Sequence, residues 1–234
     1  MKMKNKQAEQ NAAKLRHKEK LKANRRSQPD LERKEAFLNI KPTILIVCEG
    51  KNTEPSYFNH FRLTSAKVVP VGLGFNTISL VNRAIELSQH SKYEQVWCVF
   101  DKDDFAEDHF NNSIQRAVAN NLNVAYSNQA FEYWLILHSD DHQSGGMHRN
   151  DYNDKLNLLI SSFQIEYDGN GSKIIEEDFY EILDGMDEKT GIPRISLAIS
   201  RAERNYQLFD HINPAKEESS TTVFLLAKEL LKYR

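Results

Sequence analysis

Gln95–Phe105 reads QVWCVFDKDDF. Val96, Trp97, Cys98, Val99 and Phe100 form an apolar run of strand length and strand composition, and it stops at three acids, Asp101, Asp103 and Asp104. A buried strand therefore ends in carboxylates. In open α/β sheets ligands bind outside the carboxyl ends of the strands, so this is where chemistry is expected. An acidic turn capping the next helix explains the same residues, and the choice rests on the flanking sequence.

Upstream, Thr43–Cys48 (TILIVC) is a continuous β-branched run, the pattern of a strand covered on both faces, and it ends at Glu49 and Gly50. The following KNTEPSYFNHF predicts a helix with Thr53 as N-cap, Pro55 near its first position and Tyr57, Phe58 and Phe61 on one face. Ala66–Val71 reads as a second strand, placed near an edge by Pro70. Gly72, Gly74 and Asn76 form a turn into a helix from Thr77 to about His90, with Ile78, Val81 and Ile85 on one face; no third glycine or GK[ST] makes it a phosphate loop. Downstream, Phe110, Ile114, Ala117 and Val118 mark a helix, and Asn123–Tyr126 a fourth strand. Strands alternating with helices predict an α/β fold, Rossmann-like, with a mostly parallel four-stranded sheet and right-handed crossovers.

The two longest buried strands both end in acids. If they are neighbours, Glu49, Asp101 and Asp103 converge, and like charges about 4 Å apart repel by roughly 4 kcal/mol at an effective dielectric near 20. A cation resolves this, and hard carboxylate oxygens suit Mg²⁺ or Mn²⁺. Lys51 offers a compensating charge or a phosphate contact, as does Lys102 within the acidic turn.

Three stretches, CEGKNTEPSYF at Cys48–Phe58, FDKDD at Phe100–Asp104 and SNQAFEYWLILH at Ser127–His138, together resemble the RloB-like family, which carries a fold similar to the Toprim (topoisomerase and primase) domain. NP at Asn213–Pro214 and STTV at Ser220–Val223 look like its closing pattern, while Gln129 stands where family members often have proline. The resemblance implies a Toprim-like metal site at Glu49, Asp101 and Asp103. It also implies Mg²⁺-dependent phosphodiester cleavage in nucleic acid, RNA such as tRNA or DNA, in an antiphage locus beside an ABC-type ATPase. Asp101 and Asp103 are read as metal ligands. Glu49 is read as ligand or as general acid or base, both roles needing a carboxylate at the same strand end. Glu132 is an additional ligand or a helix N-terminal acid, and Asp104 and Glu54 are first assigned to helix capping and a first-turn charge.

The 234-residue chain has a formal net charge of −2, which hides an asymmetry: Met1–Arg26 holds ten Lys or Arg against two Glu, leaving 21 basic against 31 acidic residues. Residues 1–38 are expected to form a flexible basic arm, solvated or bound to nucleic acid phosphates, with Asp30–Asn39 a helical lead-in. Residues 41–140 form the metal-binding core and 141–234 a mainly helical part packed on it. No segment is apolar enough to span a membrane or serve as a signal peptide, and a cytoplasmic location is expected. Cys48 and Cys98, inside strand runs, read as buried thiols.

HSDDHQSGGMH at His138–His148 reads as a loop and not as a zinc site, with His138 the member placed nearest substrate. Beyond Asn150, helices are predicted over Leu156–Phe163, Glu176–Leu183, Ile195–Phe209 and Val223–Leu231, with turns at Asp168–Ser172 and Asp187–Pro193. Arg194, Arg201 and Arg204 recur near helical spacing and are candidate nucleic-acid contacts. Two function classes follow: a metal-dependent endonuclease, or a non-catalytic subunit that binds nucleic acid or the ATPase around a structural metal. A homo-oligomer is compatible with either.

Overall fold

The computed structural model describes residues 14–19, 42–72, 77–143 and 147–234, and its contacts divide the chain into residues 1–40 and Lys41–Arg234. In the first unit, residues 14–19 are helical (α1). The rest of the basic arm, the Asp30–Asn39 lead-in, residues 73–76 of the glycine turn and residues 144–146 lie outside the described residues.

The second unit runs β1 (Ile44–Cys48), α2 (Thr53–Asn59), β2 (Ala66–Pro70), α3 (Thr77–His90), β3 (Gln95–Asp101), α4 (Glu107–Ala119), β4 (Asn123–Ser127), α5 (Glu132–Leu137), α6 (Arg149–Ile160), α7 (Glu177–Asp184), α8 (Arg194–Tyr206) and α9 (Val223–Leu231). The strands form one sheet in the order β2-β1-β3-β4, all parallel. The α/β class stands, with β2 at an edge, where Pro70 removes no ladder donor that the sheet interior needs.

Strand alternation explains why these runs are apolar throughout. Ile44, Ile46, Cys48, Trp97 and Val99 face one core with α2 and α5 to α9, while Leu45, Val47, Val96, Cys98 and Phe100 face a second core with α3 and α4. Every residue of β1 is fully buried. Desolvation accordingly pushes the Cys98 thiol up to about 12 and the Cys48 thiol well above its ordinary value, so both are inert.

The free edge of β4 is covered by the chain's own later segment. Asn128 N donates to Ser220 O at 2.9 Å, Thr222 N to Tyr126 O at 2.8 Å, and Asn128 Nδ2 to Pro214 O at 2.8 Å. The NP and STTV pairs thus converge on Ser127–Asn128, from more than 80 residues away.

Several local expectations need correction. Helix α2 has Asn52, not Thr53, at its N-cap, and α4 is preceded by Ala106, so Asp104 is not the cap. Val118 lies on the exposed side of α4. Helix α6 begins at Arg149, seven residues before the predicted Leu156, which brings a new side chain to the sheet's edge.

Candidate functional site

The register of the two central strands sets the site. Cys48 pairs with Val99 across β1 and β3, so the chain leaving β1 lies beside the last residues of β3. Glu49 N donates to Val99 O at 2.9 Å, and Glu49 Oε2 accepts from Asp101 N at 3.4 Å. The sequence expectation that these strand ends are neighbours is therefore met geometrically. Beyond Asp101 the chain turns: Asp103 has a φ of 44°, in the left-handed region that aspartate tolerates better than most residues, and its N–H donates to Gln129 O at 2.9 Å. Gln129 itself has a φ of 69°, which a proline ring forbids, and its carbonyl is the acceptor that holds Asp103.

A cavity of about 480 Å³ opens at this sheet edge. Its lining brings together Glu49, Glu54, Asp101, Asp103 and Glu132 with Lys51, Arg149 and Lys173. Five carboxylates face three cations, leaving two negative charges in excess when all are ionised. Burial pushes the Glu49 carboxyl up to about 8, despite the Asp101 N–H and helped by Asp103 and Glu54. Glu54 rises to about 7, chiefly from burial and then from Glu132, opposed by the Glu54 and Gly50 backbone N–H groups. Asp101 is raised well above the usual carboxylate range by burial first, then by Glu54, Asp103, Glu132 and Glu49. Asp103 is raised by burial and held back by Arg149.

Asp101 is the centre of the cluster. Its Oδ2 accepts from Phe131 N at 3.1 Å, at the entry to α5, whereas its Oδ1 is buried without a hydrogen-bond partner. An unpaired buried carboxylate oxygen is costly and calls for an ion, a water or a proton. Glu132, buried on the first turn of α5, accepts from the Tyr167 hydroxyl at 2.9 Å, and that hydroxyl lies 3.2 Å from Thr53 Oγ1. Glu54, set aside on sequence as a first-turn charge, is buried in the lining; a Cβ on Gly50 would collide with its carboxylate. Asp104, by contrast, is exposed and stands 3.8 Å from His148 Nε2.

Among the described residues no group of three or more His, Cys, Asp or Glu stands close enough together to hold a metal ion by itself. The described acids therefore offer no ready-made cage. Mg²⁺ does not need one, since it keeps several waters and binds through roughly one or two carboxylates plus substrate phosphate. The hard donor set, the excess charge and the orphaned Asp101 Oδ1 fit such an open, solvated site.

The basic candidates divide. Lys51 lines the cavity and lies across Gly72, whose φ is 94° and where an added Cβ would stand 2.5 Å from Lys51 Cε. Lys102 is not part of the lining. Arg194 is buried and donates to Ile182 O at 3.0 Å, Arg201 donates to Leu137 O at 2.7 Å, and Arg204 pairs with Asp141. Arg194 and Arg201 tie α8 to α7 and α5, Arg204 ties it to the segment after α5, and none lines the cavity. His138 also needs correction as a substrate contact. It is buried, its Nδ1 donating to Leu183 O at 2.7 Å and its Nε2 lying 3.2 Å from the Tyr57 hydroxyl, and desolvation lowers it to about 4.

Three contributors escaped the sequence reading: Arg149, Tyr167 and Lys173. The Asp168–Ser172 turn, read only as a turn, brings Asn170 and Gly171 into the cavity lining, tied down by Asn52 Nδ2 to Ser172 O at 2.7 Å and by Gly169 N to Asn153 Oδ1 at 3.1 Å. Arg149 pairs with Asp103. Burial works against its charge, and Asp103, Asp101 and Glu132 more than offset that. The one sequence signal for Arg149 is its place at the first residue of a helix, where a cation opposes the macrodipole.

Comparison with known proteins gives one positive finding. The model of a family described as RloB-like protein matches residues 44–230. No curated protein and no solved structure matches the chain.

Proposed function

The chain belongs to the RloB-like family, and on that premise we propose that it is a divalent-metal-dependent nuclease with a Toprim-like site, cleaving phosphodiester bonds in RNA or DNA. The observation that carries the reading is the buried, unpartnered Oδ1 of Asp101 amid a carboxylate cluster at the carboxyl edge of a parallel sheet. Asp101 and Asp103 would hold Mg²⁺ or Mn²⁺ there, and the ion would supply charge stabilisation for the oxygens of a phosphodiester undergoing displacement.

The chain's own residues supply the rest. Asp101 and Asp103 present oxygens to the ion, and Glu132 is oriented toward the same cavity by Tyr167. Glu49, whose carboxyl burial raises to about 8 in the metal-free chain, stands beside Asp101 as a metal ligand or as the group that exchanges a proton with an attacking or leaving oxygen. Lys51 and Lys173 at the cavity wall meet the flanking phosphates. In this reading the protein is the effector of an antiphage, abortive-infection system in the bacterial cytoplasm, controlled by an ABC-type ATPase, a link that rests on family analogy. No described helix is long and apolar enough to cross a membrane.

The competing reading, a non-catalytic subunit that binds nucleic acid or the ATPase, draws on the lack of a closed ligand set among the described residues. One assay separates the two. Labelled tRNA, single-stranded and duplex substrates are incubated with the full chain and the co-purified ATPase in Mg²⁺, Mn²⁺ or EDTA. Metal-dependent cleavage lost in Glu49→Gln and Asp101→Asn supports the nuclease. Metal-independent cleavage, or cleavage that survives both substitutions, sinks it.

A further inference from the structure

Arg149 is the one cation paired directly with a carboxylate of the cluster among the described lining residues. Its partner is Asp103, and Asp101, Glu132 and Glu49 also act on it or feel its charge. It reaches the site from the first residue of α6, where the helix's positive end disfavours a cation, so the acids alone account for its position. Its side chain, part of the cavity lining, remains about one-third exposed, at 31%. A guanidinium fork fits carboxylate and phosphate alike, and it binds either in the same planar, bidentate manner.

From this arrangement we propose that Arg149 is a displaceable counter-cation: it stands in for the divalent ion on Asp103 and transfers to the substrate's phosphate when the ion binds. The proposal rests on the metal-dependent reading above. A divalent ion on Asp101 and Asp103 removes the charge that holds Arg149 and repels the guanidinium. A phosphodiester entering the cavity restores an anionic partner near the same helix end, where an anion is favoured. The ion and the substrate therefore bind cooperatively, because each relieves what the other displaces. Lys173 lines the same cavity and supplies a second cation to it.

The test is Mn²⁺ titration by calorimetry on the full chain, wild type against Arg149→Ala and Arg149→Lys, with folding checked by circular dichroism. In parallel, a labelled single-stranded oligonucleotide is titrated in Ca²⁺. Arg149→Ala is expected to bind Mn²⁺ about tenfold more tightly or better, and the oligonucleotide about tenfold more weakly or worse. Arg149→Lys, which keeps the charge without the fork, is expected to stay near wild type for Mn²⁺ and to lose oligonucleotide affinity. Unchanged or weaker Mn²⁺ binding in folded Arg149→Ala overturns the counter-cation role while leaving the nuclease reading intact. Absence of Mn²⁺ binding in wild type and Arg149→Ala alike overturns both.

Discussion

The backbone N–H of Asp101 donates to the carboxylate of Glu49 at 3.4 Å, so the ends of the two central strands are joined through the groups proposed to do the chemistry. The bond is long, and the side-chain Oδ1 of the same Asp101 is buried without a partner. Two consequences are measurable at that residue alone.

Asp101→Asn keeps the side chain's shape and the Phe131 N contact while removing a carboxyl whose ionisation burial and the neighbouring acids disfavour. Activity is expected to fall by about 10²-fold or more, the scale on which electrostatic groups at a reacting centre act. The metal-free variant should melt at the same temperature as wild type or a few degrees above it. A large loss of stability would show that the carboxylate is structural.

The pH dependence of metal-free stability carries a definite sign. Glu49 is raised from 4.5 to about 8 in the fold, so the folded state keeps a proton that the unfolded chain releases near its ordinary value. This contribution is fully present below the unfolded value and is lost as pH rises through about 8. In EDTA, Tm is expected to fall between about pH 5 and 8 by several degrees, with Glu54 and Asp101 acting in the same direction. Millimolar Mg²⁺ should flatten the fall, because the ion replaces the protons. Differential scanning fluorimetry across that range checks it, and Glu49→Gln should weaken the dependence.

Tyr167→Phe removes the hydroxyl that orients Glu132 and touches Thr53. A hydrogen bond to a charged group contributes about 1.5–3 kcal/mol, so Tm should drop by roughly 3–8 °C. Loss of an orienting partner behind a ligand typically costs about 10–100-fold in metal affinity, and calorimetry with Mn²⁺ reads it.

His138→Ala should cost about 2–4 kcal/mol of stability through an internal cavity and the loss of two hydrogen bonds. Per folded molecule, cleavage should be unchanged. Because the imidazole is lowered to about 4, wild-type activity should show no inflection from His138 between about pH 5 and 8.

The residues that the sequence made legible are those placed by strand ends. Continuous apolar runs identify buried parallel strands, and the first polar residue after each must lie at the sheet's edge, which located Glu49 and Asp101. Acids near helix starts were not separable in this way. Glu54 is buried because Gly50, lacking a Cβ, leaves room for its carboxylate, while Asp104, three residues past Asp101, points to solvent. His138 closes an apolar helix, and spacing does not reveal that Tyr57 and Leu183 wrap it. Arg149, Tyr167 and Lys173 come from segments that look like helix surface and turn. Their roles arise from long-range packing of 149–173 over the cavity, which periodicity does not encode. Arg194, Arg201 and Arg204 illustrate the converse: correct helical spacing, with the guanidinium groups used on carbonyls and Asp141.

The most direct measurement is anomalous difference density from crystals of the full chain grown with Mn²⁺. A peak in coordination contact with Asp101 Oδ1, shared with Glu49 or Asp103 and absent in Asp101→Asn, is the expected result. A cavity without a peak, or Mn²⁺ bound elsewhere while Asp101 Oδ1 stays unpartnered, would contradict the assignment of these strand-end carboxylates as the metal site.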